Sequence, residues 1–108
     1  MNTAYQNPGP DREQVDALRG PALLEFGTPW CGFCRAAQGP VAAALEGHPE
    51  VQHLKVEDGS GRKLGRSFGV KLWPTLIFLH DGREVARLVR PRGVDEIRQA
   101  LTQAVAAT

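Results

Sequence analysis

The stretch FGTPWCGFCRAAQGP, residues 26–40, decides how this chain is organised. It follows an apolar segment at residues 22–26, which predicts a buried strand with one acid, Glu25, in its middle. It then leads into a helical pattern that extends to about Glu46, where Gly47 is a stop signal. Cys31 and Cys34, the chain's only two cysteines, therefore lie between a strand and the first turn of a helix.

Three kinds of chemistry are open to such a pair. As a structural disulfide it would restrict the unfolded chain little, contributing about 2 kcal/mol on the loop-entropy formula. A structural zinc site needs four cysteine or histidine ligands, and the spacings of His48, His53 and His80 match no zinc-finger pattern. Single histidines of this kind are expected at surface or turn positions.

A redox dithiol fits the spacing best. At the start of a helix, the sulfur of Cys31 would face unpaired backbone N–H groups and the positive end of the helix dipole, which favour its thiolate. Cys34 follows about one turn later, close enough to attack a mixed disulfide formed by Cys31. A pair of this kind beside a strand–helix–strand pattern is the signature of thiol–disulfide chemistry.

Length and charge narrow the class of protein. A chain of 108 residues predicts one domain, which we place at residues 10–108 behind a flexible N-terminal arm at residues 1–9. Thirteen Lys and Arg against twelve Asp and Glu give a net charge of +1, which indicates no nucleic-acid or membrane partner. Neither a signal peptide nor a membrane-spanning run is visible, so we expect a cytoplasmic protein and a monomer.

The remaining patterns predict the order α, β, α, β, α, β, β, α. Further strands are expected at residues 51–57, 75–79 and 84–89, with a hairpin turn at Asp81-Gly82. Helices are expected at residues 11–19, from about residue 62 to 66, and from Gly93 to the end, where Val94, Ile97, Leu101 and Val105 share one face. This order predicts an α/β protein: three layers, α/β/α, with a central mixed β-sheet flanked by helices.

From about residue 11 to 106 the chain resembles the thioredoxin family. The resemblance rests on WCGFC at 30–34, LLEF at 23–26, FGVKLWPT at 68–75 and FLHDGREVARLV at 78–89. It implies a thioredoxin-like fold and reduction of protein disulfides. Two alternatives stay open from the residues alone, a non-catalytic interaction module of the same fold and a disulfide oxidase or isomerase.

The resemblance also implies roles for individual residues. Cys31 would be the attacking and Cys34 the resolving cysteine, and Glu25 the buried acid that helps to deprotonate Cys34. Burial disfavours the charged form of such an acid, and Lys55 on the neighbouring strand would partner it. The supporting residues would be Trp30 as a flat contact surface, the intervening Gly32 and Phe33, and Pro74 as a cis-proline.

Substrate contacts are expected at Trp73, Thr75, Arg90 and Arg92, with the two arginines favouring acidic surroundings of the client disulfide. No cofactor is implied beyond the redox-active Cys31–Cys34 disulfide. The implied partners are client proteins that contain disulfides, together with a flavoprotein reductase or glutathione that regenerates the dithiol.

Overall fold

The structure is a computed structural model and describes residues 4–107. The helices and strands are, in chain order, α1 Arg12–Asp16, β1 Pro21–Gly27, α2 Gly32–Glu46, β2 Gln52–Glu57, α3 Lys63–Ser67, β3 Thr75–His80, β4 Arg83–Val89 and α4 Val94–Ala106. The predicted order of elements is confirmed. Helix α1 ends at Asp16 rather than at Arg19, although Asp11 caps it as expected by accepting from Gln14. Across residues 4–107, none of these helices combines the length and apolarity needed to cross a membrane.

The four strands form one mixed sheet, as the sequence predicted, and their order is β2-β1-β3-β4. β1 runs parallel to β2 and antiparallel to β3, and β4 returns antiparallel to β3. The register sets Glu25 of β1 directly beside Lys55 of β2. The strand that precedes the cysteines is therefore flanked on both sides, which explains why its acid is buried.

Alternation along β1 separates two apolar layers. Leu23 faces α2 and α4, whereas Ala22, Leu24 and Phe26 face α1 and α3. The α2 and α4 side is lined by Leu23, Ala37, Val41, Leu76, Phe78, Ile97 and Leu101, and the α1 and α3 side by Val15, Ala22, Leu24, Phe26, Leu64 and Ile77. The side chain of Glu25 lies on the same side of the sheet as that of Leu23, toward α2.

The N-terminal segment differs from its prediction. Gln6 bridges to Val56 in parallel, donating its N–H to the carbonyl of Lys55 at 2.8 Å and accepting from the N–H of Glu57 at 3.1 Å. β2 is an edge strand whose outer backbone groups need partners, and this segment supplies them. Within the predicted flexible arm, Gln6 is thus paired with the sheet and Gly9 lies against Val56, whereas Ala4, Asn7 and Pro8 are exposed. Residues 1–3 lie outside the described part of the chain.

The turn between β3 and β4 contains one position, residue 82, that only glycine occupies without strain. Asp81 and Gly82 both have left-handed backbone angles, with φ of 50° and 78°. A β-carbon on Gly82 would lie 2.0 Å from the carbonyl oxygen of Asp16. That neighbour is backbone of α1, which cannot move aside as a flexible side chain would.

We therefore expect Gly82→Ala to destabilise the protein by about 3 kcal/mol or more, the sum of left-handed strain and an overpacked contact. Gly20→Ala is the matched control, because Gly20 also has a positive φ, of 73°, but has open space at its β-carbon position. It should cost only about 1–2 kcal/mol. Urea unfolding of both variants measures the difference, and equal losses would contradict the role of the Asp16 contact.

Candidate active site

Cys31 caps the N-terminus of α2 with its own sulfur. Its backbone is extended, and its Sγ accepts a hydrogen bond from the N–H of Cys34 at 3.2 Å. Both cysteines are reduced. The N-cap position directs this sulfur at a helix N–H and at the positive end of the helix dipole, an arrangement that stabilises negative charge.

Cys34 lies deeper in the protein and is chemically different. Its residue is 1% exposed, against 8% for Cys31. Burial, and then the hydrogen bond with Cys31, raise the pKa of Cys34 to about 12. At neutral pH Cys34 is therefore a thiol and a poor nucleophile in the reduced protein, so the two sulfurs are suited to different steps.

A buried polar cluster lies beneath the cysteines, centred on Glu25, which is fully buried. Its Oε1 lies 2.7 Å from Nε2 of His53, and its Oε2 accepts from Nε2 of Gln38 at 2.9 Å. The side chain of His53 is only 4% exposed, so the expectation of a surface or turn histidine is wrong here. His53 is two residues from Lys55 and shares the inner face of β2.

Lys55 joins this cluster through Gln38. The ammonium donates to Oε1 of Gln38 at 2.8 Å, while Nε2 of Gln38 donates to the backbone carbonyl of Cys34 at 2.8 Å as well as to Glu25. Gln38 thus connects the predicted neighbours Glu25 and Lys55 to the first turn of α2. Gln38 lies one helical turn after Cys34. This spacing is the signal by which the sequence could have predicted that the Gln38 side chain belongs to the site.

Aromatic side chains form the exposed surface next to Cys31. The Trp73–Pro74 peptide is cis, as the resemblance implied. Trp30 is 72% exposed and meets Trp73 edge to face, with ring centroids 5.7 Å apart. The indole N–H of Trp73 donates to Asp58 at 2.8 Å, which fixes the orientation of the ring.

Arg90 connects two parts of this surface. Its Nε donates to the carbonyl of Trp73 at 2.8 Å, and its guanidinium carbon lies 4.0 Å from the centroid of the Phe33 ring. Arg92 is exposed, and its backbone N–H donates to the carboxylate of Glu96. Of the two predicted arginines, Arg90 is thus the one fixed against the residues that flank the cysteines and the cis-proline.

Thr75 does not fit its predicted role. It is 1% exposed, and its hydroxyl donates to the carbonyl of Leu72 at 2.6 Å. The first residue of β3 turns its side chain into the protein to close the turn that carries Pro74. Its hydroxyl is therefore part of the turn and is not presented to a substrate.

A cavity of about 360 Å³ opens beside Cys34. It is lined by Ala4, Tyr5, Thr28, Pro29, Cys34, Arg35, Gln38, Lys55 and Glu57. The sequence offered no sign that the N-terminal segment would form one wall of it. Within residues 4–107, no group of three or more His, Cys, Asp or Glu side chains is arranged to hold a metal ion.

Comparison with known proteins agrees with this geometry. The thioredoxin family model matches residues 10–103. An H-type thioredoxin of Picea mariana is 36% identical over 98 residues, covering 90% of this chain and 77% of the relative. A thioredoxin of Chlamydia trachomatis is 34% identical over 85 residues, covering 78% and 82%. The structure of thioredoxin 2 from Pseudomonas aeruginosa PAO1, in its reduced form, superposes with a TM-score of 0.88 at 55% identity, covering all of both chains.

Proposed function

The chain belongs to the thioredoxin family, and on that premise we propose a separate role in the reaction for each of its two cysteines. It is a thiol–disulfide oxidoreductase that reduces protein disulfides. The observation that carries the proposal is the contrast between the sulfurs. Cys31 caps a helix at the aromatic surface, and Cys34 is buried behind it as a thiol.

In the first step the thiolate of Cys31 attacks one sulfur of a client disulfide. The bond between the client's sulfurs breaks, a Cys31–client bond forms, and the other client sulfur leaves as a thiolate. The exposed indole of Trp30, next to Cys31 in the chain, and the ring of Trp73 that meets it offer an apolar surface to the client.

In the second step Cys34 attacks Cys31, which releases the second client sulfur and leaves the Cys31–Cys34 disulfide. Cys34 must lose a proton first. Glu25 is the nearby buried carboxylate, and Gln38 contacts both Glu25 and the backbone of Cys34. We infer that this acid receives the proton through water.

A partner then returns two electrons to the Cys31–Cys34 disulfide. A flavoprotein reductase or glutathione would supply them, and the cycle needs no bound cofactor. We place this cycle in the cytoplasm, where such systems keep dithiols reduced. Because both cysteines and Glu25 come from one chain, the monomer is the active form.

Reduction of insulin disulfides, with dithiothreitol as the electron source, tests the function directly. The wild-type protein should accelerate precipitation of the insulin B chain well above dithiothreitol alone. Cys31→Ser should lose this acceleration, since it removes the attacking sulfur. A wild-type rate no greater than that of dithiothreitol alone would instead indicate a non-catalytic interaction module.

The arginines at the rim give a prediction about substrate choice. Arg90 lies over Phe33, and Arg92 lines the same groove. Their guanidinium groups attract carboxylates, so Arg90→Ala combined with Arg92→Ala should slow reaction with acid-flanked disulfide peptides by about three- to tenfold. Basic peptides should be affected less, and the contrast should shrink as salt screens the charges. Arg83→Ala, at the opposite end of β4, is the control for charge. Equal slowing of acidic and basic peptides at low salt would show that the arginines only position the surface.

A further inference from the structure

Tyr5 is brought to the resolving cysteine by the N-terminal segment. Pairing of Gln6 with β2 holds this segment in place, and Tyr5 lies on Lys55, whose Nζ is 4.3 Å from the ring centroid. Tyr5 and Cys34 line the same cavity. Nothing in the spacing of the cysteines or the pattern of the strands requires a tyrosine at this point.

Gly27 shows how close the hydroxyl of Tyr5 and the sulfur of Cys34 are. A β-carbon placed on Gly27 would lie 2.6 Å from Sγ of Cys34 and 3.0 Å from the hydroxyl oxygen of Tyr5. Both atoms therefore border the small space that glycine leaves open. The absence of a side chain at the end of β1 allows the phenol and the thiol to approach each other.

The hydroxyl is also in need of an acceptor. It is buried, and among residues 4–107 it has no hydrogen-bond partner of normal geometry in the reduced protein. A buried hydroxyl without a partner is costly, so a partner is expected in some state of the cycle. Burial, together with the negative charge of Glu25, raises the pKa of Tyr5, so the phenol keeps its proton and remains a donor at neutral pH.

We propose that Tyr5 donates a hydrogen bond to the Cys34 thiolate, and so stabilises the nucleophile that resolves the mixed disulfide. This rests on the proposed roles of Cys31 and Cys34. In the reduced protein, burial and then the hydrogen bond with Cys31 and its charge keep Cys34 protonated, whereas the backbone of Thr28 and the Tyr5 hydroxyl favour its thiolate. Once Cys31 is bonded to a client its charge is gone, and Thr28 and Tyr5 are the groups that oppose the effect of burial on the Cys34 thiolate.

The step balances without a further reactant. Cys34 gives its proton to Glu25, and the resulting thiolate accepts the hydrogen bond while Tyr5 keeps its own proton. The thiolate then attacks Sγ of Cys31, the Cys31–Cys34 bond forms and the Cys31–client bond breaks. The client sulfur leaves with the electron pair and takes a proton from solvent, so the dithiol is oxidised by two electrons and the client disulfide is fully reduced.

Tyr5→Phe removes the hydroxyl and keeps the ring that packs on Lys55. Reduced protein is mixed with excess disulfide peptide, quenched with acid at intervals from milliseconds onwards, and analysed by intact mass between pH 5 and 9. Attack by Cys31 should proceed at the wild-type rate. Resolution should be about ten- to a hundredfold slower, the loss expected for a hydrogen bond to a charged group, so the mixed disulfide accumulates.

The pH dependence separates hydrogen bonding from packing. The ionisable groups around this space are Glu25, Cys31, Cys34, Arg35, Lys55 and Glu57. Without the Tyr5 hydroxyl, the resolution rate should begin to increase at a higher pH than in the wild type. A looser fold would instead slow attack and resolution together. Resolution within twofold of the wild type with the same pH profile, or equal slowing of both steps, would overturn the inference. A wild-type protein that forms neither the mixed disulfide nor the Cys31–Cys34 disulfide would instead overturn the proposed function.

Discussion

Replacing Cys34 by serine is expected to stop the reaction at the mixed disulfide. Attack depends on Cys31, whose helix N-cap position does not require the Cys34 sulfur, because the hydrogen bond to Cys31 Sγ comes from the backbone N–H of residue 34. Resolution requires a second sulfur, and residues 31 and 34 are the only cysteines. Turnover should fall by more than about 10³-fold, while nearly every chain binds one client covalently.

Cys31→Ser is the matched variant and should give the opposite result. It leaves only Cys34, a thiol that is 1% exposed and whose pKa burial raises. Its turnover should be equally low, but fewer than about one chain in ten should carry an adduct under the same conditions. Intact mass spectrometry without reductant measures both variants. Comparable adducts on the two proteins would contradict the assigned roles.

Glu25→Gln should slow resolution by about 10²-fold at neutral pH, because a neutral amide cannot accept the proton of Cys34. The slowing should be largest near pH 6 and should diminish as rising hydroxide concentration provides another base. The attack step should change little. The substitution should also lower the free energy of unfolding by about 1–3 kcal/mol, since His53, Gln38 and the Lys55 ammonium are all arranged around a carboxylate.

Glu57→Gln is the control for this prediction. Glu57 is a carboxylate at the end of β2 that lines the same cavity and pairs with Arg62 at 3.1 Å on the partly exposed surface. Removing it changes the net charge as Glu25→Gln does, yet the resolution rate should stay within about twofold of the wild type, as for most surface ion pairs. Resolution by Glu25→Gln at the wild-type rate would reduce Glu25 to a structural residue.

Most of the fold could be predicted because its signals are local. The apolar strands, the Asp81-Gly82 turn and the inner face of α4 each follow from a short pattern of side chains. The burial of Glu25 followed from the same reasoning, since an acid inside an apolar strand has no solvent-facing side in a central strand. The cis Trp73–Pro74 peptide came from the family resemblance alone.

The surroundings of the cysteines were harder to predict because they depend on which segments meet. His53 looks like an ordinary surface histidine until β2 is paired with β1 and its inner face meets Glu25. Tyr5 lies in a polar, proline- and glycine-rich segment with no strand pattern, and it reaches Cys34 only because Gln6 pairs with the edge of the sheet. Thr75, expected to contact the substrate, is buried, and its hydroxyl closes a turn.

Competitive alkylation of the reduced wild-type protein tests the division of roles most directly. Limiting iodoacetamide is added at pH 7, the reaction is stopped early, and peptide mass spectrometry measures the modified fraction of each cysteine. Burial, with a pKa raised to about 12, keeps Cys34 protonated at this pH, whereas the sulfur of Cys31 lies nearer the surface at the N-terminus of α2. The account predicts that Cys31 carries more than about 99% of the label. Equal labelling, or preferential labelling of Cys34, would contradict it.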